Sequence, residues 1–133
     1  MSDTLKVCGL TIERGTKLRT YLPVPDTNVK IPLTIINGEK DGPTLLITAG
    51  IHGGEYPGIA AAMELGRDIE PEHVAGCLIM MHPVNIQGFW ARREMIVPED
   101  GKNLNRVFPG DPMGTLADKT AYLISNNFFS IAD

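Results

Sequence analysis

Apolar residues fall into short unbroken runs in one part of the chain and at helical spacing in another. Residues 45–49 (Leu-Leu-Ile-Thr-Ala) and 76–81 (Gly-Cys-Leu-Ile-Met-Met) are runs of the first kind, bounded by glycine and proline. Runs this short read as strands, and the lack of alternation predicts burial on both faces. The second is expected to be central and parallel to the first, reached by a right-handed crossover. Between them, Ile59, Ala62, Met63, Leu65 and Ile69 line one face of a helix over 56–69, with Glu64, Arg67 and Asp68 towards water and Pro71 as its stop.

The first forty-odd residues are strand-like instead. Val7, Leu10 and Ile12, then Leu18, Tyr21, Leu22 and Val24, flank a turn at Glu13-Arg-Gly15, and Pro23 and Pro25 confine this stretch to an edge or a loop. A strand is expected over 29–36, followed by turns at Asn37-Gly38 and Asp41-Gly-Pro43. Residues 83–113 carry no regular period and read as one long polar loop, a length that is often functional. Thr115, with Asp118 three positions on, opens a last helix to about residue 128, with Leu116, Leu123 and Ile124 on its apolar side. The organisation is therefore a β-rich segment over 1–43 and an α/β part over 44–133.

At 133 residues the chain is one domain's worth, long enough for a real core. A net charge of −4 without a basic cluster supplies no field for nucleic acid or anionic lipid, so a small-molecule partner is expected. The first residues lack the pattern of a signal peptide, and no apolar run approaches a membrane span. Cys8 and Cys77 are too few for a disulfide framework and read as buried free thiols. Together these features point to the cytoplasm.

Chemistry concentrates after the first apolar run, in Gly50-Ile-His-Gly-Gly-Glu-Tyr-Pro-Gly58. The glycines allow a tight turn, and Pro57 suits the first turn of a helix. His52 and Glu55 then sit at the carboxyl end of a strand, where reaction centres of open α/β sheets collect. An imidazole and a carboxylate so placed are two of the three protein ligands that a catalytic zinc commonly takes. An isolated H-x-x-E is more often a strand-end histidine beside a glutamate that complements a helix dipole. The strand, the glycines and the later Asn105-Arg106 pair outweigh that reading. Asn105 and Arg106 can hold a carboxylate by charge-assisted hydrogen bonds, and Arg92 or Arg93 can face negative charge developing on a carbonyl oxygen. His82 ends the second strand on the same edge and is a lesser candidate as ligand or supporting partner. His73 precedes that strand, so it belongs at the opposite edge.

His52-Gly-Gly-Glu55, Pro83-Val-Asn85 and Asp100-Gly-Lys-Asn-Leu-Asn-Arg-Val-Phe-Pro-Gly110 together resemble the succinylglutamate desuccinylase/aspartoacylase family, a branch of the zinc carboxypeptidase-like hydrolases. The resemblance runs from about residue 30 onward. It implies a three-layer α/β/α sandwich with a mixed sheet, one zinc ion, and hydrolysis of an amide bond in an N-acyl amino acid or related small acyl compound. By the same resemblance His52 and Glu55 are the first two zinc ligands, Asn105 and Arg106 hold the substrate carboxylate, and Arg92, favoured over Arg93, polarises the scissile carbonyl. Such enzymes take a third ligand, a histidine, from a later strand, and a general-base glutamate from further on. Neither residue is present, since Ile131-Ala-Asp133 stands where that strand is expected to begin. Little or no turnover is therefore expected of this chain alone, with a non-catalytic carboxylate-binding module as the alternative. An exposed sheet edge predicts self-association.

Overall fold

The computed structural model describes residues 3–133. Strands β1 (Thr4–Val7) and β2 (Leu10–Glu13) form an antiparallel hairpin. Its two turn residues, Cys8 and Gly9, have φ of 49° and 76°, the positive values that a two-residue hairpin turn demands. Cys8 thereby stands exposed at the tip, which corrects its reading as a buried thiol, whereas Cys77 is buried. The apolar neighbours of Cys8 conceal the turn in the sequence, because only Gly9 carries a turn signal.

The main sheet has the order β3-β4-β6-β5. β3 (Thr16–Pro23) pairs antiparallel with β4 (Lys30–Asn37), β4 antiparallel with β6 (Ala75–Met81), and β6 parallel with β5 (Lys40–Thr48). It is a mixed sheet in which β3 and β4 are laid directly onto the strand–helix–strand unit. β6 is central, its residues from Gly76 onward all buried.

β5 departs from expectation twice. It starts at Lys40, so Asp41-Gly-Pro43 lies within the strand, where the register against β6 shifts between Lys40 and Thr44. It is also an edge strand, with Leu45 55% exposed, and not one buried on both faces. An apolar run records that a strand can be covered, and cannot distinguish an edge from a centre. On the open side, the Asp133 backbone N–H donates to the Thr44 carbonyl (3.0 Å) and the Thr44 N–H to Asp133 Oδ2 (2.8 Å).

Helix α1 (Tyr56–Asp68) covers one face through Ile59, Ala62 and Gly66. Met63 and Leu65, expected on the packed face, are 47% and 42% exposed. The helix comes closest to the sheet at Gly66, which lies directly over Thr34, where a Cβ would come 3.0 Å from Oγ1. Met63 and Leu65 fall on the flanks of that contact.

Lys17 of β3 closes the far end of this helix. Its ammonium donates to the carbonyls of Gly66 (3.2 Å), Arg67 (3.1 Å) and Ile69 (2.6 Å) and pairs with Glu70 (3.0 Å), with 14% of the side chain exposed. These are the carbonyls a helix C-terminus leaves unpaired. Lys17→Met, which keeps the stem but removes the charge, is expected to cost about 1–2 kcal/mol of stability in urea unfolding.

The other face carries Leu33, Ile35, Ile79 and Met81, packed with Ala117, Ala121, Leu123, Ile124 and Phe128 in and just beyond α3 (Leu116–Asn127). Asp118 Oδ2 accepts from the Thr115 N–H and hydroxyl, both at 2.9 Å, and the Thr115 side chain accepts from the Asp118 N–H, the reciprocal cap that Thr115 and Asp118 predict. Helix, sheet and helix thus form three layers. The expected structureless stretch instead contains a short helix, α2 (Ile86–Trp90), and a 3-10 turn over Leu104–Arg106. Each is started by an asparagine side chain that accepts a backbone N–H, Asn85 from Gly88 and Asn103 from Asn105. Among the described residues no helix is long and apolar enough to cross a membrane.

Candidate functional site

At the carboxyl end of β5 the chain turns through Ala49 to Glu55. The turn is stitched to the segment that leaves β6: the Ala49 N–H donates to the Met81 carbonyl (2.9 Å), and the Val84 and Asn85 N–H groups return to Ala49 (2.8 Å) and Gly50 (2.9 Å). Glu55 is the N-cap of α1, with Pro57 in the first turn. Its N–H donates to the His52 carbonyl (3.2 Å), and its Oε1 lies 2.8 Å from His52 Nδ1. The imidazole and carboxylate are therefore side by side.

The other ring nitrogen, Nε2, lies 2.9 Å from Oδ1 of Asn103. That contact joins the His-Gly-Gly-Glu turn to the Asn105-Arg106 segment across one edge of the sheet. The earlier part of the 83–113 stretch packs there too. The Gly54 N–H donates to the Glu94 carbonyl (3.2 Å), and a Cβ on Gly53 would stand 2.4 Å from the Phe89 backbone nitrogen. Arg92 lies in this loop, exposed, with a left-handed φ of 55°. The guanidiniums of Arg92 and Arg93 make no hydrogen bond or ion pair among the described residues.

Arg106 is close enough for its charge to act on His52. Asn105 helps line an open cleft of about 310 Å³ with Thr48, Ile51, Phe108 and Phe129, the two phenyl rings stacked at 5.9 Å. His82 is not part of the constellation: it is 6% exposed, its Nε2 is 2.8 Å from Thr34 Oγ1, and burial pushes its pKa down. His73 is exposed beside Glu72 (3.6 Å). Asn103 did not stand out in the sequence. The available signal was its spacing two residues before Asn105, the interval of a side chain that accepts its neighbour's backbone N–H.

The pKa of His52 is raised, first by the hydrogen bond to Glu55 and then by that to Asn103, against desolvation and the charge of Arg106. Protonated, the ring donates from both nitrogens. Because its folded pKa lies above the unfolded one, this pair stabilises the fold fully below the ordinary histidine value of about 6.5 and less as pH rises through the raised value. The stability difference between wild type and Glu55→Gln, from urea unfolding at pH 6 and pH 8, is expected to shrink at the higher pH; an unchanged difference would contradict the coupling.

An imidazole nitrogen and a carboxylate oxygen side by side are donors of the kind zinc takes. The donor set thus fits the metal that the sequence motif implies, as two of its ligands. Among the described residues, no three His, Cys, Asp or Glu side chains come together as a fuller cage.

Residues 41–132 match the model of the succinylglutamate desuccinylase/aspartoacylase catalytic domain. Over 108 residues the chain is 43% identical to the N-alpha-acetyl-L-2,4-diaminobutyric acid deacetylase of Halomonas elongata, covering 76% of this chain and 31% of that protein. Among solved structures it resembles a succinylglutamate desuccinylase/aspartoacylase from Rhodobacter sphaeroides, with a TM-score of 0.83 at 34% identity over 99% of this chain and 41% of the other. The product-bound ectoine utilization protein EutE (DoeB) from Ruegeria pomeroyi also gives 0.83, at 36% identity over 90% of this chain and 38% of the other. The chain thus spans well under half the length of these relatives.

Proposed function

The chain belongs to the succinylglutamate desuccinylase/aspartoacylase family, and from that premise we propose that it carries the first half of a zinc site and the carboxylate clamp of a hydrolase acting on amide bonds of N-acyl amino acids. The observation that supports this most directly is the 2.8 Å pairing of His52 Nδ1 with Glu55 Oε1, tied through Asn103 to the turn that bears Asn105 and Arg106. His52 and Glu55 would hold the zinc, which when bound lowers the pKa of a water and polarises a carbonyl. The chain's own residues do the rest. Asn105 and Arg106 hold the substrate carboxylate, and Arg92 offers a guanidinium to charge developing on the carbonyl oxygen. The relative from Halomonas is named for deacetylating N-acetyl-diaminobutyrate, so this compound is the first substrate to try.

Two donors hold a metal weakly and leave positions open. Zinc or cobalt titration of the purified chain is expected to show one weak, saturable site, lost in Glu55→Ala. No saturable binding in the parent chain would defeat the reading. The presence of only two candidate ligands among the described residues also favours the second reading, a binding module without turnover. The 133-residue chain alone is expected to release no measurable acetate from N-acetyl-diaminobutyrate, and chelator-sensitive turnover would overturn that. We also expect self-association through the open edge of β5 around Leu45, to be read by sedimentation velocity; a monomer at high concentration would refute it.

A further inference from the structure

Arg19 and Tyr21 stand two apart on β3, and their register partners on β4 are Thr34 and Pro32. The two-residue period of a strand puts these side chains, with Lys30 at the start of β4, on the sheet face that α1 packs against. The helix covers only part of that face. Gly66 sits over Thr34, whereas Pro32 is half-buried and Tyr21 exposed. The uncovered end borders an open groove of about 760 Å³, which Met63 of α1 and Phe89 and Trp90 of α2 also line. That volume lies within the roughly 300–1,000 Å³ of small-molecule sites.

The lining is cationic and aromatic. The Arg19 guanidinium and the Lys30 ammonium make no hydrogen bond or ion pair among the described residues, and none of the described residues that line the groove is Asp or Glu. In a chain of net charge −4 this is a local field of opposite sign. Tyr21 and Trp90 are both more than half exposed. Phe89 meets Trp90 edge-on at 5.3 Å and Tyr56 at 5.9 Å, so the indole is propped on a neighbouring ring while its own surface stays in water. Uncovered rings beside unpaired cations complement an anion with a flat apolar body.

We propose that this groove is a second binding site, for a small organic anion that joins a carboxylate to an aromatic ring, the carboxylate held by Arg19 and Lys30 and the ring by Tyr21 and Trp90. None of His52, Glu55, Asn105 and Arg106 lines it, so the inference does not depend on the metal reading.

Trp90 is the only tryptophan in the chain, and its emission therefore reports on the site. With 3-phenylpropionate as the probe and excess chelator present, a saturable change is expected, with a dissociation constant on the order of 1 mM. The alcohol 3-phenylpropan-1-ol keeps the ring and lacks the charge, and should bind about 10-fold more weakly. The double variant Arg19→Gln/Lys30→Gln should weaken binding of the acid by a similar factor. Both positions are exposed, so urea unfolding should show the variant as stable as the parent. In 1H–15N spectra the acid should move the Trp90 indole and Arg19 side-chain signals. Shifts centred on Arg106 with Trp90 unmoved would place the anion in the carboxylate clamp and overturn the proposal. The absence of a saturable response, equal affinity for acid and alcohol, or parental affinity in the folded double variant would each overturn it too. Because the titration is metal-free, zinc binding at His52 stands or falls separately.

Discussion

Replacing His52 by alanine is expected to abolish saturable zinc binding while the protein stays folded. Among the described residues the ring is the only nitrogen donor paired with Glu55, and a lone carboxylate, 67% exposed at a helix N-terminus, is left to water. The loss should exceed the roughly 100-fold that removal of a supporting group typically causes. Folding should tolerate the change because the imidazole belongs to neither hydrophobic cluster. In any longer chain that completes the site, the same substitution should remove turnover. Cobalt absorption titration and thermal unfolding measured together check both halves, and binding that survives in His52→Ala would place the metal elsewhere.

Gly53→Ala is expected to lower stability by about 3 kcal/mol, at the high end for an added methyl group in a packed site. The new Cβ would meet the Phe89 nitrogen at 2.4 Å and the Gly88 carbonyl carbon at 2.6 Å, both backbone atoms that cannot swing aside. Relief requires the turn to lift from α2, which separates His52 from the loop that carries Arg92. Weaker metal binding should therefore accompany the stability loss. Gly58→Ala is the control, since a Cβ at Gly58 meets nothing within 4 Å. If Gly53→Ala matched that control in urea unfolding, the close approach would not constrain the site.

The parts of this architecture most legible from the residues are those governed by local rules. Helix α1 follows from spacing and Pro57, and the start of α3 from the Thr115–Asp118 reciprocity. The unbroken apolar run makes β6 legible as a strand, and its expected place inside the sheet is where it lies. Neighbourhood was less legible. Leu45 looks like a core residue in sequence and is exposed, because pairing order decides which strand is the edge. Met63 and Leu65 flank the packed face, whose centre is set by the approach of Gly66 to Thr34, a contact between residues far apart in the chain. In the site, the adjacency of His52 and Glu55 follows from a three-residue interval on a glycine turn. The bridge from His52 to Asn103 spans 51 positions and has no periodic signature.

The ammonium of Lys17 ties strand β3 to the far end of the helix that Glu55 caps. Helix α1 is gripped at its last carbonyls by that charge, and its first residue boundary is Glu55, so the helix acts as a strut between the two. Axial slip at the distal bearing would shift the carboxylate towards or away from the imidazole without any change in either residue. A titration of zinc against Lys17→Met should therefore register a lesion about one helix length from the ion, as a moderate rise in dissociation constant.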